Sequence, residues 1–154
     1  MNLNEVIARA FTLVSHTAEI QHVTMVKELS SNLPEITADP SQLQQVFTNL
    51  MLNAVQAMPA GGTLTLRTSV NGGGEVKVEV QDTGVGIPKE NMRKLFTPFF
   101  STKKEVKGVG LGLAVSYGII QRHHGRIEVS SEEGKGTTFT VYLDASKGVQ
   151  DWNH

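Results

Sequence analysis

The sequence predicts an α+β domain. Three observations carry this. Apolar residues recur at helical spacing in three separated stretches and alternate strictly in several shorter ones, two of which are joined by a Gly-rich turn that marks a hairpin. In chain order, residues 3–15 set Leu3, Val6, Ile7, Ala10, Phe11 and Val14 on one side and Asn4, Glu5 and Arg9 elsewhere, an amphipathic helix. Residues 23–29 read as a strand, and residues 35–38 as another short one. Asp39-Pro40-Ser41-Gln42 is a helix start. Asp39 can cap, Pro40 sits where a missing N–H does not matter, and Gln42 stands near the capping-box position.

That second helix runs to about residue 58, ahead of Pro59 and Gly61-Gly62, with Leu43, Val46, Phe47, Leu50, Ala54 and Ala57 on one face. Gln42, Gln45, Asn49, Asn53 and Gln56 lie beside that face, and residues 41–58 contain no Lys, Arg, Asp or Glu. A row of uncharged amides predicts the wall of a polar cavity. Residues 63–70 and 75–81 alternate as strands around Asn71-Gly72-Gly73-Gly74. Residues 88–93 suit one or two helical turns. Residues 95–100 are Phe-rich, and residues 101–107 are polar and unpatterned, as a lid would be. The third helix spans about 109–123, and His124 at its end must accept a left-handed conformation. Residues 126–130 and 137–143 form two last strands around Glu132-Glu133-Gly134-Lys135-Gly136.

Composition excludes several classes. The 154 residues predict one domain over 1–145, with 146–154 as a frayed tail. A formal charge of −1 argues against binding nucleic acid through bulk attraction. The absence of cysteine rules out disulfides and Cys-ligated zinc, and fits a reducing compartment. No apolar run approaches the roughly 18 residues of a membrane span, and Met1-Asn2-Leu3-Asn4-Glu5 lacks a basic leader start. The expectation is a cytoplasmic domain without membrane contact, monomeric in isolation.

Two stretches organise the chain. Val76, Val78 and Val80 alternate up to Asp82-Thr83-Gly84-Val85-Gly86, which holds a carboxylate at a strand end and follows it with glycines that let backbone approach a ligand. Gly108-Val109-Gly110-Leu111-Gly112-Leu113 opens a helix, offering free N–H groups and a positive dipole end to phosphate. A carboxylate for an exocyclic amine plus an anion nest describes a nucleotide pocket. Each piece alone has a plainer reading. Asp82 could cap a turn, the glycines could be a Rossmann fragment or a packing turn, and the amides could be solvated. No strand immediately precedes Gly108, which speaks against Rossmann.

Taken together the motifs resemble the catalytic, ATP-binding domain of bacterial sensor histidine kinases, of the nitrogen-regulation type, within the gyrase–Hsp90–kinase–MutL (GHKL) superfamily. Asn49-Leu50-Met51-Leu52-Asn53-Ala54 is similar to the N box, Asp82 to Pro88 to the G1 box, and Leu95 to Phe100 to the F box. Gly108 to Leu113 is similar to the G2 box, and Gly134-Lys135-Gly136-Thr137 to the G3 turn. The resemblance implies a two-layer Bergerat fold, a mixed, mostly antiparallel sheet covered on one face by three helices. It implies ATP and Mg²⁺ as cofactors. Asp82 would accept from adenine N6, with Gly84 and Gly86 allowing the approach, Ile87 and Phe100 lining the base and Thr137 supporting it. Asn53 would hold Mg²⁺ with Asn49 beside it, and Gly108, Gly110, Leu111 and Gly112 would take phosphates. Thr102 and Lys103 would belong to the lid, with Lys103 a lid charge.

The resemblance also implies a γ-phosphoryl transfer to a histidine on a separate dimerisation domain, with a response regulator further on. Many relatives carry a basic residue where this chain has Gln56, so the resemblance implies that one phosphate contact is either missing or supplied by Lys103 or Arg126. His16 lacks the His-Glu pattern of the phosphoacceptor. The family's hydrolysing members place a glutamate where Asn49 stands, and an amide takes no proton at neutral pH. Two further readings remain: an anti-sigma-type serine kinase, and a nucleotide-binding scaffold without transfer activity.

Overall fold

The computed structural model describes residues 1–92 and 109–145. Their order is α1 (Leu3–Ile20), β1 (Val23–Glu28), α2 (Pro40–Gln56), β2 (Gly62–Val70), β3 (Glu75–Asp82), α3 (Lys89–Met92), α4 (Val109–Arg122), β4 (Arg126–Glu132) and β5 (Gly136–Asp144). The five strands form one sheet in the order β1-β2-β3-β5-β4. β1 runs parallel to β2, and the other neighbours are antiparallel. The mixed, mostly antiparallel sheet expected from the sequence is therefore the one observed.

Alternation separates the two layers. Leu64 and Leu66 of β2, Val76, Val78 and Val80 of β3, and Phe139, Val141 and Leu143 of β5 turn to one face and are buried. The helices close that face with Val6, Ile7, Ala10 and Val14 of α1, Leu43, Phe47, Leu50 and Met51 of α2, and Ile119 and Ile120 of α4. Each such Leu, Ile, Val or Phe gains about 1.5–3 kcal/mol from burial, so the core holds the layers together. The opposite face is polar. Arg67 pairs with Glu28 at 2.7 Å, and Arg126 pairs with Glu75 at 2.7 Å and Glu128 at 3.2 Å. Exposed pairs of this kind add about 0–1 kcal/mol each.

Three sequence expectations change. Residues 35–38 are not a strand: Ile36 is buried, but its N–H reaches the Met1 carbonyl at 3.1 Å as a single bond without a ladder. The first helix continues to Ile20 because buried Ala18 extends the apolar face one turn past Val14, while Thr12 Oγ1 and Ser15 Oγ turn back onto the Ala8 and Thr12 carbonyls. β4 runs two residues beyond the expected end, to Glu132. His124 does adopt positive φ, at 60°, as its helix-ending place requires.

α2 is clamped at both ends. At its start, Asp39 Oδ1 accepts from Ser41 N at 3.0 Å and Gln42 N at 3.2 Å, the expected cap. The reciprocal half of the capping box is not made by Gln42. His123, at the far end of α4, accepts the Asp39 N–H on Nε2 at 3.2 Å. Its Nδ1 lies 2.8 Å from the Ile119 carbonyl, so Nδ1 carries the proton and Nε2 is the acceptor. At the other end, the Val55 carbonyl accepts from Met58 N at 3.0 Å in the closing turn and also from Gln21 Nε2 at 2.7 Å. His123 is buried, so His123→Leu should strand the Asp39 N–H and cost about 1–3 kcal/mol in urea unfolding. A loss below about 0.5 kcal/mol, the range of neutral surface changes, would show that the tie is incidental.

Candidate functional site

The site begins where β3 ends. Asp82 lies opposite Leu64 of β2 and Thr137 of β5 on the covered face, and its side chain is buried. Its Oδ1 accepts from Gly84 N at 2.9 Å and from Thr137 N at 3.2 Å. Both bonds fall on one oxygen. Among the described residues Oδ2 has no protein donor, and it is the atom left for a ligand. Burial pushes the Asp82 carboxyl above its ordinary range, and the two N–H bonds pull against that rise.

The loop after Asp82 is held by backbone packing. Val85 N donates to the Ala57 carbonyl at 2.9 Å, and Gly134 N donates to the Val85 carbonyl at 2.8 Å. A Cβ on Gly84 would lie 2.2 Å from the Ala57 oxygen, and one on Gly86, at φ 75°, 2.3 Å from the Glu132 oxygen. Among the described residues, protein main chain fills the room: the end of α2 against Gly84 and the β4–β5 turn against Gly86.

One residue that the sequence reading passed over sits at the centre of the network. Ser131 Oγ accepts from Ile87 N at 2.8 Å, lies 2.8 Å from Thr137 Oγ1, and donates to the Gly136 carbonyl at 3.1 Å. Ending the strand at residue 130 hid it. Continuing the alternation of Ile127 and Val129 would have put Ser131 on the covered face, opposite Thr137.

The amide row on α2 is half-buried at Gln42, Asn49 and Asn53 and exposed at Gln45 and Gln56. Among the described residues, Asn53 Nδ2 and Gln42 Oε1 are buried without a hydrogen-bond partner, as are Thr48 Oγ1 on the same helix and Ser116 Oγ on α4. Buried polar groups are normally satisfied, so an orphaned amide on this helix fits a site that a polar ligand completes. Gly110, Leu111 and Gly112 fall in the first turn of α4, whose N–H groups have no helical acceptor. Phe100, Thr102, Lys103 and Gly108 lie outside the described residues. Arg126 does not serve as a phosphate contact: it lies on the open face, paired with Glu75 and Glu128 and stacked at 3.8 Å on the Tyr142 ring. That face is opposite the helices, so the charge is committed elsewhere.

The raised Asp82 value fixes a sign. The folded chain holds the proton more tightly than the unfolded chain, so this group destabilises the fold progressively as pH rises from the ordinary carboxylate range through the raised value. Asp82→Asn keeps an oxygen for the two N–H groups and removes the charge. The stability of Asp82→Asn minus that of the parent should therefore increase with pH across that window and then level off, read from urea titrations between acid and neutral pH. A difference that falls with rising pH would mean that the N–H bonds outweigh desolvation.

Comparison with known proteins places this geometry. Residues 38–147 match the family described as histidine kinase-, DNA gyrase B-, and HSP90-like ATPase. The chain is 44% identical over 143 residues to the sensor histidine kinase ZraS of Escherichia coli K12, covering 93% of this chain and 30% of that protein. It is 35% identical to sporulation kinase E of Bacillus subtilis, covering 97% of this chain and 20% of the relative. The nucleotide-free catalytic domain of histidine kinase ThkA superposes with TM-score 0.83 at 30% identity, over 94% of this chain and 93% of that one. Full-length ShkA in complex with AMPPNP superposes with TM-score 0.85 at 29% identity, over 97% of this chain and 31% of that one. The chain thus spans roughly a third or less of its longer relatives. It belongs to the histidine kinase-, DNA gyrase B- and HSP90-like ATPase family, as a catalytic domain of the sensor histidine kinase kind.

Proposed function

We propose that this chain binds Mg²⁺–ATP between α2, the end of β3 and the start of α4, and presents the γ-phosphoryl group to a histidine on a separate dimerisation domain. The observation that carries this reading is the buried Asp82, with Oδ1 saturated by two main-chain N–H groups and Oδ2 without a protein donor among the described residues. Oδ2 would accept from the exocyclic amine of adenine, with Ile87 and Thr137 beside the base. Asn53, helped by Asn49, would hold Mg²⁺ against the phosphates. No group of three His, Cys, Asp or Glu is placed to hold a metal among the described residues, which suits an ion held largely by the nucleotide. When bound, Mg²⁺ supplies charge neutralisation at the phosphates. The N–H groups around Gly110, Leu111 and Gly112 would take phosphate oxygens. Gly108, Phe100, Thr102 and Lys103 would complete the pocket and its lid.

The transfer itself needs little from the protein beyond position. The unprotonated imidazole nitrogen of the partner attacks the γ-phosphorus, the bond to the bridging oxygen breaks, ADP leaves with the electron pair, and the other imidazole nitrogen gives up its proton to water. Water is the competing nucleophile. Asn49 cannot take its proton, so hydrolysis should be slow while transfer proceeds. A response regulator would receive the phosphoryl group afterwards. No helix among the described residues is long and apolar enough to cross a membrane. A cytoplasmic working place, with any membrane attachment in another part of the parent protein, fits that observation.

Titration calorimetry tests the pocket. The chain should bind ADP and a non-hydrolysable ATP analogue more tightly with Mg²⁺ than without. Asp82→Ala should weaken both by about 10- to 150-fold, the range for a hydrogen bond to a charged group. Asn53→Ala should remove most of the Mg²⁺ dependence and leave ADP binding without metal nearly intact. A folded chain that binds no nucleotide would refute the pocket. For the chemistry, Asn49→Glu should raise ATP turnover to free phosphate above the parent's level. Unchanged turnover in a variant that still binds ATP would show that the missing glutamate is not what suppresses hydrolysis.

A further inference from the structure

The network around Ser131 does more than brace a loop. Three groups surround its Oγ: Ile87 N at 2.8 Å, Thr137 Oγ1 at 2.8 Å and the Gly136 carbonyl at 3.1 Å. A serine hydroxyl has one proton to give and two lone pairs to accept with. The Ile87 N–H can only donate, and the Gly136 carbonyl can only accept. One assignment makes all three contacts hydrogen bonds. Ser131 gives its proton to Gly136 and accepts from Ile87, and its remaining lone pair accepts the proton of Thr137. The Thr137 hydroxyl then has no proton left for anything else. It faces the site as an acceptor.

We propose that Ser131 is a specificity-determining residue: by taking the Thr137 proton it presents Thr137 Oγ1 as an acceptor beside Asp82 Oδ2, so that the site selects a 6-aminopurine over a 6-oxopurine. This inference rests on the nucleotide reading above. Asp82 and Thr137 face each other across β3 and β5, and Thr137 N already bonds to Asp82 Oδ1. Adenine offers an amine at position 6 and a bare ring nitrogen at N1. Two acceptors suit that edge, whether Thr137 takes the amine directly or accepts from a water that donates onward to N1. A 6-oxopurine reverses both signs, with an oxygen at position 6 and a proton on N1. It would meet two acceptors with its own acceptor and find no donor, the arrangement by which a polar site rejects an analogue most strongly. Removing the Ser131 hydroxyl frees the Thr137 proton, and a free hydroxyl can turn to donate.

The experiment compares ADP with IDP, which differ only along this edge, by calorimetry on the chain with its fold checked by circular dichroism. The parent should favour ADP by tenfold or more. Ser131→Ala should reduce the IDP-to-ADP ratio of dissociation constants by about tenfold, one hydrogen bond's worth, through better IDP binding as well as weaker ADP binding. Ser131→Thr, which keeps the hydroxyl, should retain the parent ratio. Thr137→Val should lower the ratio by itself and leave Ser131→Ala nothing further to change in the double variant. A merely structural serine would weaken both nucleotides together and leave the ratio alone. That outcome, or a parent that does not discriminate, overturns the role of Ser131 while ADP binding keeps the pocket. Should Ser131→Ala fail to fold, Thr137→Val decides alone, and an unchanged ratio there overturns the proposal. A folded parent that binds neither nucleotide overturns the proposal together with the pocket.

Discussion

The site depends on one constraint: a carboxylate can stay buried at the end of β3 only if main-chain N–H groups reach it. Gly84 and Thr137 supply them, and both bond to the same oxygen of Asp82. The arrangement requires the loop after β3 to turn back tightly and β5 to begin directly alongside. Desolvation still wins, since the net shift is upward, so the fold holds this carboxylate at some expense in stability. Groups kept in that condition concentrate where a ligand completes them. Among the described residues the amide of Asn53 on α2 is likewise left without a partner.

Main-chain contacts transmit this constraint outward. The Ala57 carbonyl receives Val85 N, and the Val85 carbonyl receives Gly134 N, so the end of α2, the β3 loop and the β4–β5 turn form one continuous hydrogen-bonded corner. Glycine at 84 and 86 is what lets these backbones approach so closely. The phosphate end of the proposed site is attached to the same corner through α2. His123 ties the start of that helix to the end of α4, and Gln21 ties its end to α1. The helix that carries Asn49 and Asn53 is thus held directly against α4 and α1.

Polar and charged residues divide by face. On the covered side they are few: Thr68, Asp82, Thr137, Ser116 and His123 are buried there. On the open side Glu28, Arg67, Glu79, Glu75, Arg126 and Glu128 pair with one another. The open face thus keeps its cations occupied and near water. Arg126 is among those cations, committed to Glu75 and Glu128 on the face away from the proposed site.

Much of this was legible in the residues. Helical and two-residue periods fixed α1, α2, α4 and the five strands, because burial of one face imposes a repeat that a linear sequence displays. Local chemistry was equally plain where it acts within a few residues, as with Asp39 and Pro40 at the start of α2 and left-handed His124 after α4. The β3 carboxylate stood out because it closes a strand and is followed by glycines, and the amide row because residues 41–58 carry no charged side chain. Residues 35–38 misled because one buried Ile36 imitates a strand, whereas a strand also needs a neighbour to bond along its length.

What tertiary structure alone decided are the pairings between residues far apart in the chain. His123 replacing Gln42 at Asp39, Ser131 joining Ile87 to Thr137, and Arg126 turning away to Glu75 and Tyr142 have no local signature. A hydroxyl, ring nitrogen or guanidinium accepts whichever partner the packing brings within about 3 Å, and its own neighbours in sequence do not say which that is. The sequence therefore determined which groups carry the chemistry and which face they share. Only the packed fold determined which of their protons and lone pairs are already used, and so what remains for a ligand.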